Sequence, residues 1–280
     1  MVWFPQALRG LGIGIRQTSI PLGGALAAAT LPLVGLTWGW RGALALAGLV
    51  VAASALVVQA FFRDRPAGSA APRRGSQHGV RALLRSHSVQ GIMGIACILT
   101  VAQWAAVTYL VLFLHEYLAL DLPLAAAYLA VLQVGGVVGR TVWGLASDTL
   151  FGGRRKPAMV IIAPAALACV VLLALVPRGA PPLLLLPLVA ALGFTAVGWN
   201  GIFLALMAEQ APPELAATAV GLAVTGVFVA IVLTPPLFGL VVDRTGSYQL
   251  AWWLLAAVLV AGLPLLIWIK EGKGWEVKRR

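Results

Sequence analysis

Of the 280 residues, 61% are apolar and 10% charged, whereas a soluble domain is about 45–50% apolar and about 25% charged, so lipid rather than water is the main solvent of this chain. The net charge of +11 does not make it a nucleic-acid binder, because where the bases fall matters more than their total and they are dispersed in short segments between apolar runs. A membrane-spanning barrel is excluded too, since strand-length segments of alternating polarity do not occur.

The chain is instead a succession of long apolar runs. A run of about 20 residues at about 1.5 Å each crosses the hydrocarbon layer as a helix. Eight such spans are predicted, at Leu11–Leu36, Gly42–Phe62, Val89–Leu114, Pro123–Ser147, Pro157–Val176, Pro182–Met207, Glu214–Val242 and Ser247–Ile269. Pro123, Pro157, Pro182 and Pro213 open or immediately precede spans, where a first-turn N–H has no partner to lose. The expected fold class is an all-α polytopic membrane protein. The opening MVWFPQALRG lacks the charged start and short apolar core of a signal peptide, and insertion through the spans themselves is expected.

Residues 63–88, RDRPAGSAAPRRGSQHGVRALLRSHS, form the one long polar stretch and read as a linker dividing two helices from six. Its arginines fit orientation and solvation, with contact to anionic lipid headgroups as a second reading. Seventeen of the 20 Lys and Arg fall on the linker's side of the spans, and three, Arg41, Arg178 and Arg244, on the other. That excess marks the cytoplasmic side, which puts both termini in the cytoplasm of a cell (plasma or inner) membrane protein. Cys97 and Cys169 lie within spans and read as small buried residues, so no disulfide, metal or cofactor is expected. His78, His87 and His115 are scattered without ligand or triad spacing, which argues against a membrane enzyme.

Polar groups at mid-span are the candidates for a binding site. Gln103 and Trp104 in the third span, Gln133 in the fourth, and Trp199 and Asn200 in the sixth fall near mid-depth. An amide in hydrocarbon must find a partner, because an unsatisfied polar group costs a few kcal/mol. Interhelical hydrogen bonding is one reading and substrate contact the other. Arg16 and Arg140 lie inside spans, where a charge needs a partner or water. Arg16 is the candidate for attracting an anion, and Arg140 for pairing with a carboxylate such as Asp148. No Asp or Glu falls at mid-depth, so the visible groups suit a small organic anion better than a cation. Pro187 and the Pro235-Pro236 pair interrupt the backbone bonding of the sixth and seventh spans and mark candidate hinges.

One polar strip, GRTVWGLASDTLFGGRRKP (139–157), separates the fourth and fifth spans. Gly135, Gly139 and Gly144 let another helix approach, Gly152 and Gly153 permit the reversal, and Arg154, Arg155 and Lys156 hold the turn in the cytoplasm. Asp148 is the unusual member, because acids have no orienting duty there. A faint repeat accompanies it: PLVGL at Pro32–Leu36 matches PLFGL at Pro236–Leu240, each expected to precede a short return into the next span, as in transporters built from repeated halves.

The pattern Gly144, Asp148, Gly152 and then Arg154, Arg155 and Lys156 resembles the loop motif of the major facilitator superfamily of secondary transporters, in the weaker copy between that fold's eighth and ninth helices. Thr149 stands where the motif has a base directly after the acid, and one extra residue separates acid from glycine. RGLGIGIRQTSIPLGG (9–24), AQWAAVTYLVLFL (102–114), GWNGIFLALMAEQAPPE (198–214) and PPLFGLVVDRTGSY (235–248) are similar to its fifth, seventh, tenth and eleventh helices, nearest the cyanate-permease-like and organic-anion members.

The resemblance implies helices 5–12 of that fold, lacking the first four. Residues 1–62 would be the last two helices of one half, 63–88 the cytoplasmic linker, and 89–280 a complete six-helix half with a basic tail. It implies secondary active transport of a small solute by alternating access, with the lipid bilayer and a small-molecule substrate as partners and a coupling proton left open. Gln103, Trp104, Gln133, Trp199, Asn200 and Arg16 would bind substrate. Asp148, with Arg140, Gly144, Arg154 and Arg155, would gate, the acid facing the first helix near Gly10 to Gly14. A transport-incompetent fragment, or an interaction subunit completed by another chain, stays open as the alternative.

Overall fold

The first helix, α1 (Ser19–Phe61), has 43 residues, about twice what a bilayer needs. At Gly39 its backbone leaves helical geometry, with φ 69° and ψ 177°, a conformation glycine takes without steric penalty. The two first spans are expected to be joined by a short loop. The chain instead passes between them with helix on both sides of this one glycine, because the WGWRG segment holds no longer run of helix breakers. Trp38 and Trp40 are exposed at the kink, and the Arg41 guanidinium lies 4.4 Å over the Trp40 ring.

The computed structural model describes residues 12, 15–61, 81, 83–212 and 215–271, apart from the side chains at 28 and 32. Most of the 63–88 linker, and Gly10 to Gly14 save Gly12, lie outside the described residues. After α1 come α2 (His87–Leu112), prolonged by a π turn at Phe113–Tyr117, then α3 (Leu122–Thr149) and α4 (Lys156–Leu175). The next span joins α5 (Pro182–Leu192), a π turn at Gly193–Val197 and α6 (Asn200–Glu209). It is followed by α7 (Ala216–Thr245), α8 (Tyr248–Gly262) and the short α9 (Leu265–Trp268). Among the described residues there is no strand, and seven helices are long and apolar enough to cross a membrane, the first counted over Leu33–Phe61. The chain is an all-α, multi-pass membrane protein.

Among the described residues the buried core of aliphatic and aromatic side chains runs from Leu83 to Ile269, and α1 adds only the buried Pro21. Helix α2 is its spine: Ile92, Ile95, Ala96, Leu99, Ala102, Ala105 and Ala106 are fully buried, with α7, α3, α8 and α9 packed around it. Helix α1 leans on α3, and most of its large apolar side chains from Leu33 onward are exposed, as suits a surface solvated by hydrocarbon. The Pro235-Pro236 pair does not break α7, which stays helical to Thr245. The Tyr109 hydroxyl donates to the Pro235 carbonyl at 2.8 Å, a side-chain bond that ties α2 to α7 at the proline pair.

Candidate functional site

The site grows from a glycine seam. Along α3, a Cβ at Gly139 would strike the Phe194 carbonyl and come within 3.0 Å of the Gly198 Cα. On the facing π turn, a Cβ at Gly193 would strike the Leu132 carbonyl. Only glycines let two backbones run this close. The π turn also tilts carbonyls off the helical ladder, and α3 answers them with side chains: Trp143 Nε1 donates to the Phe194 carbonyl at 3.0 Å, and Arg140 Nε to the Val197 carbonyl at 3.1 Å.

Arg140 is 1% exposed. A second guanidinium nitrogen, Nη1, donates to the Gln17 carbonyl just before α1, so this one side chain ties α1, α3 and the π turn together. The expected pairing of Arg140 with Asp148 is corrected here. Eight residues along one helix separate them by about 12 Å, and Asp148 is ion-paired with Arg155 instead.

At mid-span the structure brings Gln103 and Asn200 together. Asn200 Nδ2 donates to Gln103 Oε1 at 3.0 Å and to the Val197 carbonyl at 3.2 Å. Among the described residues no hydrogen-bond partner takes the Gln103 Nε2 group, the Trp104 indole N–H or the Gln133 amide. Gln133 sits against α1, where a Cβ at Gly24 would come 2.8 Å from its Nε2. Trp199 is fully buried, its indole N–H donating to the Ala196 carbonyl at 3.0 Å and its ring tilted on Phe203 at 5.3 Å. In this conformation its side chain packs within the core. Arg16 is exposed, away from the amide pair's hydrogen bonds.

The polar strip makes a second cluster, at the α3–α4 turn. Gly152 and Gly153 take φ of 59° and 82°, and the Gly153 N–H closes on the Ser147 carbonyl at 2.8 Å. The reversal carries Arg155 back over the end of α3. Its guanidinium Nη1 donates to Asp148 Oδ1 and Ser147 Oγ, and its Nε reaches Glu209 Oε1 at 3.3 Å. The buried Gly144 underlies the same turn, its carbonyl accepting from Ser147 Oγ at 3.0 Å. Arg154 points outward, 69% exposed, and meets Glu271 at 3.2 Å. The sequence signals Glu209 and Glu271 only by their places just after the sixth and the last predicted spans. Among the described residues no group of three or more His, Cys, Asp or Glu could hold a metal ion.

Comparison with known proteins fits this arrangement. Residues 1–235 match the sequence profile of the Major Facilitator Superfamily. The chain belongs to that superfamily, a family of transporters. It is 31% identical over 272 residues to an uncharacterized MFS-type transporter of Mycobacterium tuberculosis, covering 94% of this chain and 58% of that protein. It is 26% identical over 278 residues to the probable sulfoacetate transporter SauU of Cupriavidus necator, covering 93% of this chain and 64% of that protein. The chain therefore spans roughly three-fifths of the relatives it matches. The fold is shared with the transporter FucP in its outward conformation, at a TM-score of 0.70 and 14% identity, over 96% of this chain and 70% of that one.

Proposed function

We propose that the chain serves secondary active transport of a small organic anion by alternating access, with both termini in the cytoplasm and the cell membrane as its home. The observation that carries the reading is the Gln103–Asn200 amide pair, which orients the free Gln103 N–H donors at mid-span in a superfamily of transporters. Donors dominate there: among the described residues the N–H groups of the Gln103 and Gln133 amides and of the Trp104 indole have no hydrogen-bond partner, and no Asp or Glu of the chain falls at mid-span. Such a set favours the oxygens of a carboxylate or sulfonate over a cation. The likeness to a probable sulfoacetate transporter supports the same class.

In this reading Gln103, Trp104, Gln133 and Asn200 contact substrate, Trp199 backs them, and Arg16 attracts the anion. Residues 1–62 and 89–280 act as parts of opposite halves joined by the 63–88 linker. Asp148 and Arg155, with Arg140, Gly144 and Arg154 around them, govern closure of the cytoplasmic side. A coupling proton belongs to the proposal as the driving ion.

The test is uptake into proteoliposomes with an imposed proton gradient, using radiolabelled organic anions such as sulfoacetate beside neutral sugars. Gradient-dependent uptake of an anion, lost in Gln103→Leu, is the expected result. Uptake of a neutral sugar alone would overturn the anion assignment.

A further inference from the structure

Ile269, Lys270 and Glu271 follow α9 and pass under the ends of three other helices. The Lys270 N–H donates to Ser88 Oγ at the start of α2 (3.1 Å), and the Lys270 carbonyl accepts from Gln210 Nε2 at the end of α6 (3.0 Å). Ser88 and Gln210 are themselves joined, Oγ donating to Oε1 at 3.0 Å. Lys156 Nζ donates to the Ile269 carbonyl at 2.7 Å. Glu271 then turns its carboxylate to the start of α4. One oxygen accepts from the backbone N–H groups of Arg155 and Lys156, the other from Arg154 Nε at 3.2 Å.

Helix α4 has no cap of its own, for its N-cap residue is Arg155 and makes no side-chain capping bond. First-turn N–H groups lack intrahelical acceptors and carry partial positive charge, so a carboxylate is the group best suited to them. Glu271 supplies it from 116 residues away. Its bonds fall on the backbone of the residue whose guanidinium, on the opposite side, holds Asp148, Ser147 and Glu209. Arg155 is thus gripped at both ends.

We propose that Glu271 is the positioning residue of the Asp148–Arg155 ion pair: by capping α4 from the end of the last span it sets where Arg155 sits, and the Ile269–Glu271 segment clasps α2, α4 and α6 into one unit at that membrane edge. The inference deepens, and for its role in transport rests on, the reading of Asp148 as a gate. Arg154 adds little to the stability of this clasp, since an exposed pair contributes little.

A double-mutant cycle on the full chain in detergent tests it, with Glu271→Gln, Asp148→Asn and the double variant followed by thermal unfolding. Each single change lowers the melting temperature. Because the two act through one arginine, the double variant melts within about 2 °C of the worse single variant. Losses that simply add would overturn the proposal. Glu271→Asp, which keeps the charge, recovers part of the loss, and Arg154→Ala leaves melting unchanged. Should Glu271→Gln not fold, the same cycle is closed with Glu271→Asp and read the same way. In uptake assays Glu271→Gln lowers kcat while KM stays within about twofold, and adds nothing in the Asp148→Asn background. A chain that transports no anion would tell against the transport reading, and the thermal cycle would still decide the role of Glu271.

Discussion

Arg155 and Asp148 form an ion pair whose side chains are 3% and 2% exposed, although they lie seven residues apart on opposite arms of a turn. Glu209, 49% exposed and 3.3 Å from the same guanidinium, makes the arginine a bridge between α3 and α6. The planar fork serves both carboxylates from two nitrogens held in fixed geometry, which the freely rotating donors of an ammonium do not provide. The turn joining two spans is therefore tied to a third span through one side chain.

Removing one member of a buried pair strands the other charge, a loss of about 3–5 kcal/mol. Asp148→Asn should fall at the low end, since Glu209 still faces Arg155, and lower the melting temperature in detergent by roughly 5–10 °C. Arg155→Gln takes the shared cation from both Asp148 and Glu209 and should cost more. The double variant, with both members of this buried pair neutral, should be more stable than Arg155→Gln alone, and a double variant below both singles would contradict the geometry.

The glycine seam makes a second prediction by contrast. Gly193→Ala drives a methyl into the Leu132 carbonyl, and overpacking of this kind costs about 1–3 kcal/mol. Gly221, in α7, has nothing within 4 Å of an added Cβ, so Gly221→Ala should stabilise by about 0.5–1 kcal/mol through helix propensity alone. Opposite shifts in melting temperature for two identical substitutions would show that contact, not composition, decides.

Much of this was legible in the residues. The apolar runs marked the spans because hydrocarbon admits backbone only as helix or closed barrel, and Asp148 stood out as an acid without an orienting role. Its partner did not stand out, because Arg154, Arg155 and Lys156 are alike as charges. Only the helix start turns 155 inward while leaving 154 outside. Trp199 and Asn200 are adjacent, and the π turn before them inserts a residue into the helical period, so counting by 3.6 could not say which faces the core. Glu271 escaped notice because its partners lie more than a hundred residues away.

The amide pair yields a prediction that separates glue from binding. An interhelical hydrogen bond in a bilayer contributes about 0.6–2 kcal/mol, so Asn200→Ala should lower stability by that order through loss of its bonds to Gln103 and Val197. If Gln103 also binds substrate, Gln103→Leu should raise KM for the transported anion at least tenfold, a loss of about 1.4 kcal/mol. Stability loss with unchanged KM would leave the pair as interhelical support only.

Arg140 supports the last prediction, because among the described residues its donors to Val197 and Gln17 are the polar tie between the start of α1 and the rest of the helices. Lysine keeps the charge but presents a single ammonium on a longer, freely rotating stem, so it cannot hold both carbonyls in the geometry of the fork. Arg140→Lys should therefore loosen α1 from α3 while leaving the core between Leu83 and Ile269 intact. A cysteine pair at positions 24 and 133, which face each other across that joint, reports on it directly. Oxidative cross-linking should be efficient with Arg140 present and fall severalfold in Arg140→Lys, whereas the rate of proteolysis within α2 to α8 should not change. Equal cross-linking in both would mean that apolar packing alone seats α1, with the arginine merely accommodated.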